Sequence, residues 1–280
     1  MPITAKIIKD SVGPAGVRLT TLELRYPRMI HPEFMTHRVM SRNASSSRAI
    51  PSKRIRASVA QEPAKPIYWG QNRPGMQADA ELAGWRRGLA ENLFMGSRFP
   101  MLGVVWALEK IGLHKQLANR LLEPWSHITV VVTATEWENF FALRCHPAAQ
   151  PEMRELACAI RRAMNSSEPE YLQPGEWHLP YVTDLEEMGP TFGLDHKDLI
   201  KYSVARCARV SYLTHDGQNP DPIKDIALHD RLISQGHMSP TEHQAAVPVD
   251  ENYQSQSNLR GWVQYRKTLF GERVFKGGMK

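Results

Sequence analysis

Cysteine is scarce, with Cys145, Cys158 and Cys207 the only three in 280 residues and no C-x-x-C among them. That count and scatter exclude a disulfide framework, and the three are expected to be reduced packing residues. No run approaches the roughly 18 apolar residues of a membrane-crossing helix, and "MPITAKIIKDSVG" has no apolar signal-peptide core, so the expected compartment is the cytoplasm. Negative charge is the minority: 29 Asp and Glu stand against 35 Lys and Arg, a formal charge of +6. The excess favours an anionic partner, but both signs are mixed along most of the chain and no basic tail exists to track a duplex. A small phosphorylated ligand is the better expectation. The P-loop, G-x-G-x-x-G, G-x-S-x-G and H-E-x-x-H patterns are all missing, and with them the support for ATPase, dinucleotide-fold, serine-hydrolase and zinc-protease readings. There is no internal repeat and no low-complexity tract.

What the chain does contain is a set of clear periodic segments. "VRLTTLELRYP" (17–27) alternates so that Leu22, Leu24 and Tyr26 share one face of a half-buried strand, and "ITVVVTAT" (128–135) is β-branched enough for a buried one. Between them, residues 60–77 are rich in Pro, Gly and Gln and read as a long surface loop. Residues 78–98 and 101–122 carry apolar residues at helical steps, with Pro100 and Pro124 marking their limits. "PEMRELACAIRRAM" (151–164) places Met153, Leu156, Ala157, Ile160 and Met164 on one helical stripe, off which Arg154 and Arg161 lie. Residues 165–194 look like a connection. Helices over 197–213 and 222–236, then "HMSPTEHQAAVPV" and a mixed tail, complete the chain.

Three segments carry chemistry. "THRVMSRNASSSRAIPSKR" (36–54) packs five Lys or Arg and five Ser into 19 residues. Arg38, Arg42 and Arg48 there can offer forked donors and the serines hydroxyls, which suits a phosphate; the alternative is a solvated basic loop. "GHMSPTEH" (236–243) gathers His237, Ser239, Glu242 and His243. Ser239 as N-cap with Glu242 three residues on would make a capping box, and two His six apart without a third compact ligand do not make a zinc site, so no metal is expected. "NFFALRCHPAAQPEMRELA" (139–157) sets Asn139, Arg144, Gln150 and Arg154 among apolar residues, where an Arg needs either a ligand phosphate or an internal partner such as Glu138 or Glu152.

Taken together these segments resemble the flavin-dependent thymidylate synthases, the ThyX family, and in wording the ThyX-like proteins encoded by bacteriophages. Thr36-His37-Arg38 followed by Ser41, Asn43, Ser46 and Arg48 is similar to the family's R-H-R and S-x-N-x-x-S-x-R. Ala208-Arg209-Val210-Ser211 and Gly236 to His243 resemble A-R-V-S and G-H-x-[ST]-P-x-E-H. Asn139 to Arg144 and Ala149 to Ala157 resemble N-x-x-x-L-R and A-Q-x-E-I-R-x-x-A, and Arg120, Leu122 and Pro124 give a weaker likeness. In the family the A-R-V-S and G-H-x-[ST]-P blocks come first, whereas here they come last, so the chain resembles a circular permutant. Thr36, Glu33, Ala49 and Ala148 depart from the pattern, the last two standing where the family has ring-stacking groups.

The resemblance implies an α+β fold of mixed helices and antiparallel sheet, circularly permuted, with residues 1–280 as one catalytic domain and a possible helical insertion at about 56–100. It implies FAD as cofactor, NADPH and methylenetetrahydrofolate as co-substrates, and transfer of a one-carbon unit to C5 of dUMP. His37, Arg38, Asn139, Ser211, His237, Ser239 and Glu242 would meet the flavin, while Ser46, Arg48, Arg120 and Arg144 would hold the nucleotide, Ser46, Arg48 and Arg144 forming the catalytic set. A homotetramer with sites between subunits is implied, in the cytoplasm of a bacterial host if phage-encoded. Two alternatives stand beside thymidylate formation: a flavin-dependent deoxypyrimidine monophosphate hydroxymethylase, and a non-catalytic nucleic-acid-binding protein on the same fold.

Overall fold

The computed structural model describes residues 3–78, 80–182, 193–211, 221–250 and 256–269, with Ser211 described through its backbone alone. The centre is a five-stranded sheet. β1 (Thr4–Val12) and β2 (Arg18–Pro27) form an antiparallel hairpin; beyond β2 lies β4 (His127–Ala134), with the short β3 (Ser41–Ala44) at the edge, and β5 (Glu170–Tyr171) runs parallel to β1 on the other side. Leu22, Leu24 and Tyr26 share a face, as alternation requires, and Ile128, Val130 and Val132 continue that face across the ladder. A smaller sheet joins β6 (Trp177–His178), β7 (Ala245–Ala246) and β8 (Val263–Gln264).

Helices cover both faces, and the fold is α+β. The short α1 (His31–Phe34) leads out of β2, and α2 (Ser52–Gln61) follows β3. Next come α3 (Trp85–Gly96), α4 (Arg98–Lys110) and α5 (Lys115–Ala118), the last running into a 3-10 turn over Asn119–Trp125. α6 (Glu138–Arg144) and α7 (Pro151–Asn165) follow β4, and α8 (His196–Ala208) and α9 (Pro222–Ser234) close the order. Met153, Leu156, Ala157, Ile160 and Met164 are the apolar residues α7 buries, and they pack on Leu22, Leu24, Tyr26 and the β4 valines. Burying each of the larger ones, Met153, Leu156, Ile160 and Met164, stabilises the fold by about 1.5–3 kcal/mol. On the opposite face Val131 meets Cys207 and Val210, so α8 roofs the other side of β4. Burial pushes the Cys207 thiol well above its ordinary range, and all three cysteines are free.

Some boundaries differ from the sequence reading. The helix expected from residue 78 begins at Trp85, because the chain before it bridges Gly70 to Glu81. Pro100 does not end a helix: it is the third residue of α4, where the missing N–H has no intrahelical acceptor to lose. The helix expected over 101–122 breaks at Gly112, whose φ of +88° costs a side-chain-bearing residue strain. The stretch read as a connection, 165–194, contributes β5 and β6, with 183–192 outside the described residues. β1 and β3 were not foreseen. Among the described residues no helix is long and apolar enough to cross a membrane.

Candidate active site

His37 follows α1, and its carbonyl, with those of Phe34 and Met35, is gripped by Nη1 of Arg42 from β3. Arg42 is therefore a strut for the loop that carries His37, which answers half of what the basic segment does: one of its three expected anion donors serves the backbone instead. The imidazole stands edge-on to Phe140 of α6, with ring centres 4.9 Å apart. From the end of α6, Arg144 donates through Nε to His37 Nε2 at 2.9 Å. Nε2 is thus the acceptor nitrogen, and burial first, then the Arg144 and Arg42 charges, hold the imidazole below its ordinary pKa and so neutral. Arg144 does not pair with Glu138, which accepts the Trp137 N–H, or with Glu152, which accepts the Ile67 N–H and the Gln150 amide. Its nearest carboxylate among the described residues is Glu33, at 4.0 Å.

β3 is also where the last third of the chain joins the site. Asn43 donates to the Cys207 carbonyl at 2.7 Å, and the Ser239 hydroxyl reaches Asn43 Oδ1 at 3.4 Å. The segments around Ala208 and Ser239 therefore sit against the strand between His37 and Ser46. Ser239 is no helix cap: Met238 precedes a 3-10 turn over Ser239–Glu242 without any side-chain capping bond, and Glu242 pairs with Arg266. The capping-box reading fails because the Ser239 hydroxyl turns to Asn43 and the Glu242 carboxylate to Arg266, so neither side chain bonds the backbone of the turn. His243 anchors this turn from below. It bonds Thr133 at 2.8 Å, Thr133 meets Thr21 at 2.7 Å, Thr21 meets His178 at 2.8 Å, and His178 meets Ser11 at 2.9 Å. All five side chains in this chain of bonds are buried. Desolvation pushes His243 down to about 3 and holds His178 well below its usual range.

The third group lies beyond β3. The amide of Asn119, wholly buried, donates to the carbonyls of Ser47 (2.7 Å) and Ile50 (3.0 Å), and Ser47 donates to Glu123 at 2.8 Å. The residue before Arg120 is thereby stitched to the residues on either side of Arg48. Lys115 adds a bond to the Ala49 carbonyl. Arg48 and Arg120 are both exposed and have no hydrogen-bonding or ion-pair partner for their guanidinium groups among the described residues; Ser46 accepts the Arg48 backbone N–H. Sequence reasoning missed Asn119 and Lys115, although Asn119 adjoins a candidate arginine.

The structure thus joins His37 to Arg144, Asn43 to Ser239, and the Arg48 loop to Arg120. No hydrogen bond or ion pair links the first group to the third among the described residues. Arg38, Asn139 and His237 are exposed. Cavities of about 450, 220 and 140 Å³ among the described residues are lined by other residues. Arg154 is exposed as well, and the Ser211 side chain lies outside the described residues. No cluster of three or more His, Cys, Asp and Glu placed to hold a metal occurs among the described residues.

The family model of the thymidylate synthase complementing proteins matches residues 17–170, which span β2 through β5, and the chain belongs to that family. No curated protein matches the sequence. Among solved structures the chain is similar to the UMP/dUMP methylase PolB from Streptomyces cacaoi bound with 5-Br UMP, at 14% identity over 58% of this chain and 88% of that one, with a TM-score of 0.47. The same methylase bound with 5-Br dUMP gives 16% identity over 58% and 89%, with a TM-score of 0.46.

Proposed function

We propose that the protein is a flavin-dependent enzyme that transfers a one-carbon unit from methylenetetrahydrofolate to C5 of dUMP, with thymidylate as product. The observation that carries the reading is the state of three arginines. Arg18 and Arg209 each find a carboxylate at 2.5 Å, whereas among the described residues Arg48 and Arg120 have none and Arg144 has Glu33 at 4.0 Å. Guanidinium forks left open beside serine hydroxyls suit the dianionic phosphate of a mononucleotide. In this reading Ser46, Arg48, Arg120 and Arg144 hold the nucleotide, and Asn119 fixes the Arg48–Arg120 corner. His37, neutral and turned by Arg144, keeps its Nδ1–H as a donor.

The donor set also fits FAD. Arg38, Asn139 and His237 are exposed donors, Arg38 having no carboxylate partner among the described residues, and Ser239 presents a hydroxyl from β3's neighbour. Those are the groups a cofactor diphosphate and ring edge require. Ser211 belongs to the set by its place in the motif, while Glu242, tied to Arg266, would fix the turn that carries His237 and Ser239. The flavin, when bound, supplies the two-electron chemistry, with NADPH as reductant; the protein's own part is alignment and exclusion of water. The whole chain is read as one catalytic domain with a helical insertion at about 56–100. It is also read as a circular permutant, since Ala208–Ser211 and Gly236–His243 pack on β3 and β4 although they lie outside the matched stretch.

A second reading rests on Ala49 and Ala148, small residues where the family has stacking rings: water could capture the methylene group and yield 5-hydroxymethyl-dUMP. The test is incubation with dUMP or dCMP, methylenetetrahydrofolate and NADPH, with mass spectrometry of the nucleotide. Formation of dTMP supports the first reading and the hydroxymethyl product the second. A purified protein that neither binds FAD nor turns over either nucleotide overturns both.

A further inference from the structure

The cavity of about 450 Å³ lies apart from the candidate site, and none of the residues assigned above to flavin or nucleotide lines it. Its size falls in the range of about 300–1,000 Å³ that small-molecule sites occupy. One wall is the chain over residues 63–69 with Arg87 of α3; the other is the end of β2, the start of β4 and the first turn of α7.

Floor and mouth differ in chemistry. Glu152 and Trp69 are buried, at 3% and 8% exposure, whereas Lys65 and Arg87 are exposed, so the carboxylate lies inside and the cations stand at the mouth. His127 adds no charge at neutral pH, because burial first, then the charge of Arg25, pushes it down to about 4. Phe94 stands edge-on to Trp69 with ring centres 5.7 Å apart and holds the indole as a wall.

Glu152 is the informative residue. A carboxylate buried this far is almost always paired with a cation, and among the described residues none pairs with it. It accepts one bond on each oxygen, from the Ile67 N–H at 2.9 Å on Oε1 and from the Gln150 amide at 3.2 Å on Oε2. A carboxylate has about four acceptor positions, so each oxygen keeps capacity for one more. Two parallel acceptors match two parallel N–H donors.

We infer that this cavity is a second binding site, for a heterocycle that presents an amino group and a ring N–H side by side and carries an anionic tail. The 2-amino-4-oxopyrimidine edge shared by pterins and guanine has that pair of donors. It would fork onto Glu152, with the ring against Trp69 and the tail toward Lys65 and Arg87. The tail would displace only weak partners at the solvent-exposed mouth: Glu91 for Lys65, and Glu81, 3.8 Å away, for Arg87. Uracil and isoalloxazine each set their ring N–H between two carbonyls, which a carboxylate repels, and adenine sets its amino group beside a ring acceptor. The site is therefore distinct from those proposed for dUMP and FAD, and it stands whether or not the chain methylates dUMP.

The experiment is calorimetry of folic acid, GMP, AMP and dUMP on the wild type, on Glu152→Gln and on Lys65→Ala/Arg87→Ala, with melting followed by circular dichroism. The wild type should bind folic acid or GMP, and Glu152→Gln should weaken that binding at least about tenfold with dUMP affinity unchanged. The mouth variant, altered only at exposed side chains, should melt like the wild type and also lose about tenfold. Folic acid alone assigns the ring to pterins, GMP alone to guanine, and binding of both makes the shared edge the recognised feature. Binding of neither, AMP bound as tightly as the better ligand, or affinity that survives Glu152→Gln overturns the site. If Glu152→Gln unfolds, the mouth variant decides, and its unchanged affinity overturns the site. A folded Glu152→Gln chain that loses dUMP affinity overturns the separation of the two sites, whereas a wild type that never turns over dUMP sinks the methylation reading alone.

Discussion

Arg144 Nε donates to His37 Nε2 across 2.9 Å, joining residues 107 positions apart in the chain. Spending Nε on the imidazole aims the guanidinium, while among the described residues its two Nη groups keep only long contacts, to Thr36 at 3.5 Å and Glu33 at 4.0 Å. Those two groups form the open side of the fork.

The first prediction concerns that fork. Arg144→Ala should raise the KM for dUMP by roughly 10- to 150-fold, the equivalent of a charge-assisted bond of about 1.5–3 kcal/mol. Arg144→Lys should recover little, because an ammonium cannot bond His37 and present two parallel donors together. Steady-state kinetics at varied dUMP decides it; an unchanged KM removes Arg144 from the nucleotide site.

Asn119 gives a prediction about support without contact. Asn119→Ala leaves the Ser47 and Ile50 carbonyls without their amide donor and should destabilise the fold by about 2 kcal/mol. It should also weaken dUMP binding, through the loosened Arg48 loop. Urea unfolding and calorimetry measure the two effects; intact stability would show that water replaces the amide.

The buried histidines set an acid limit. His243 has a folded pKa of about 3 against an ordinary 6.5. Its folded pKa is depressed, so between pH 6.5 and 3 the unfolded chain binds the extra proton. Stability is fully present above the unfolded value and falls as pH drops through this window, by up to about 1.4 kcal/mol per pH unit for each such histidine. His178 shifts in the same direction. Urea midpoints measured from pH 7.5 down to 5 should fall, and His243→Gln should flatten the decline. A slope identical in the variant would assign the acid sensitivity elsewhere.

Two residues on α7 should behave oppositely. Ile160→Ala opens a hole beneath β2 and β4 and should lose 2–5 kcal/mol, about the range for such truncations. Arg154→Ala, on the exposed face, should leave stability within about 0.5 kcal/mol. A large stability loss from Arg154→Ala would expose a structural role that its position does not suggest.

Much of the core could be read directly. The alternation over 17–27 and the stripe over 151–164 are periodic, and a period of two or of three to four is the imprint of one buried face. β3 was invisible because four residues carry no period, and it exists only because β4 offers an open edge. Helix limits around Gly112 and Pro100 were misread for a related reason: a breaker's effect depends on whether it sits in the first turn or after the last. The site motifs were legible as residue types, while the duties of Arg42, as a strut, and of Asn119, as a stitch, were not.

By itself the sequence determined the periodic strands over 17–27 and 128–135, the apolar stripe over 151–164, the scarcity of cysteine, the cationic excess and the motifs that resemble the family. Tertiary structure alone decided that Arg144 turns on His37, that Ser239 meets Asn43, and that Glu152 is buried at a cavity wall. The physical reason is range. Local patterning records which side of a helix or strand is apolar, but a hydrogen bond between residues a hundred positions apart, or the side on which an apolar stripe finds its partner, depends on how the elements pack.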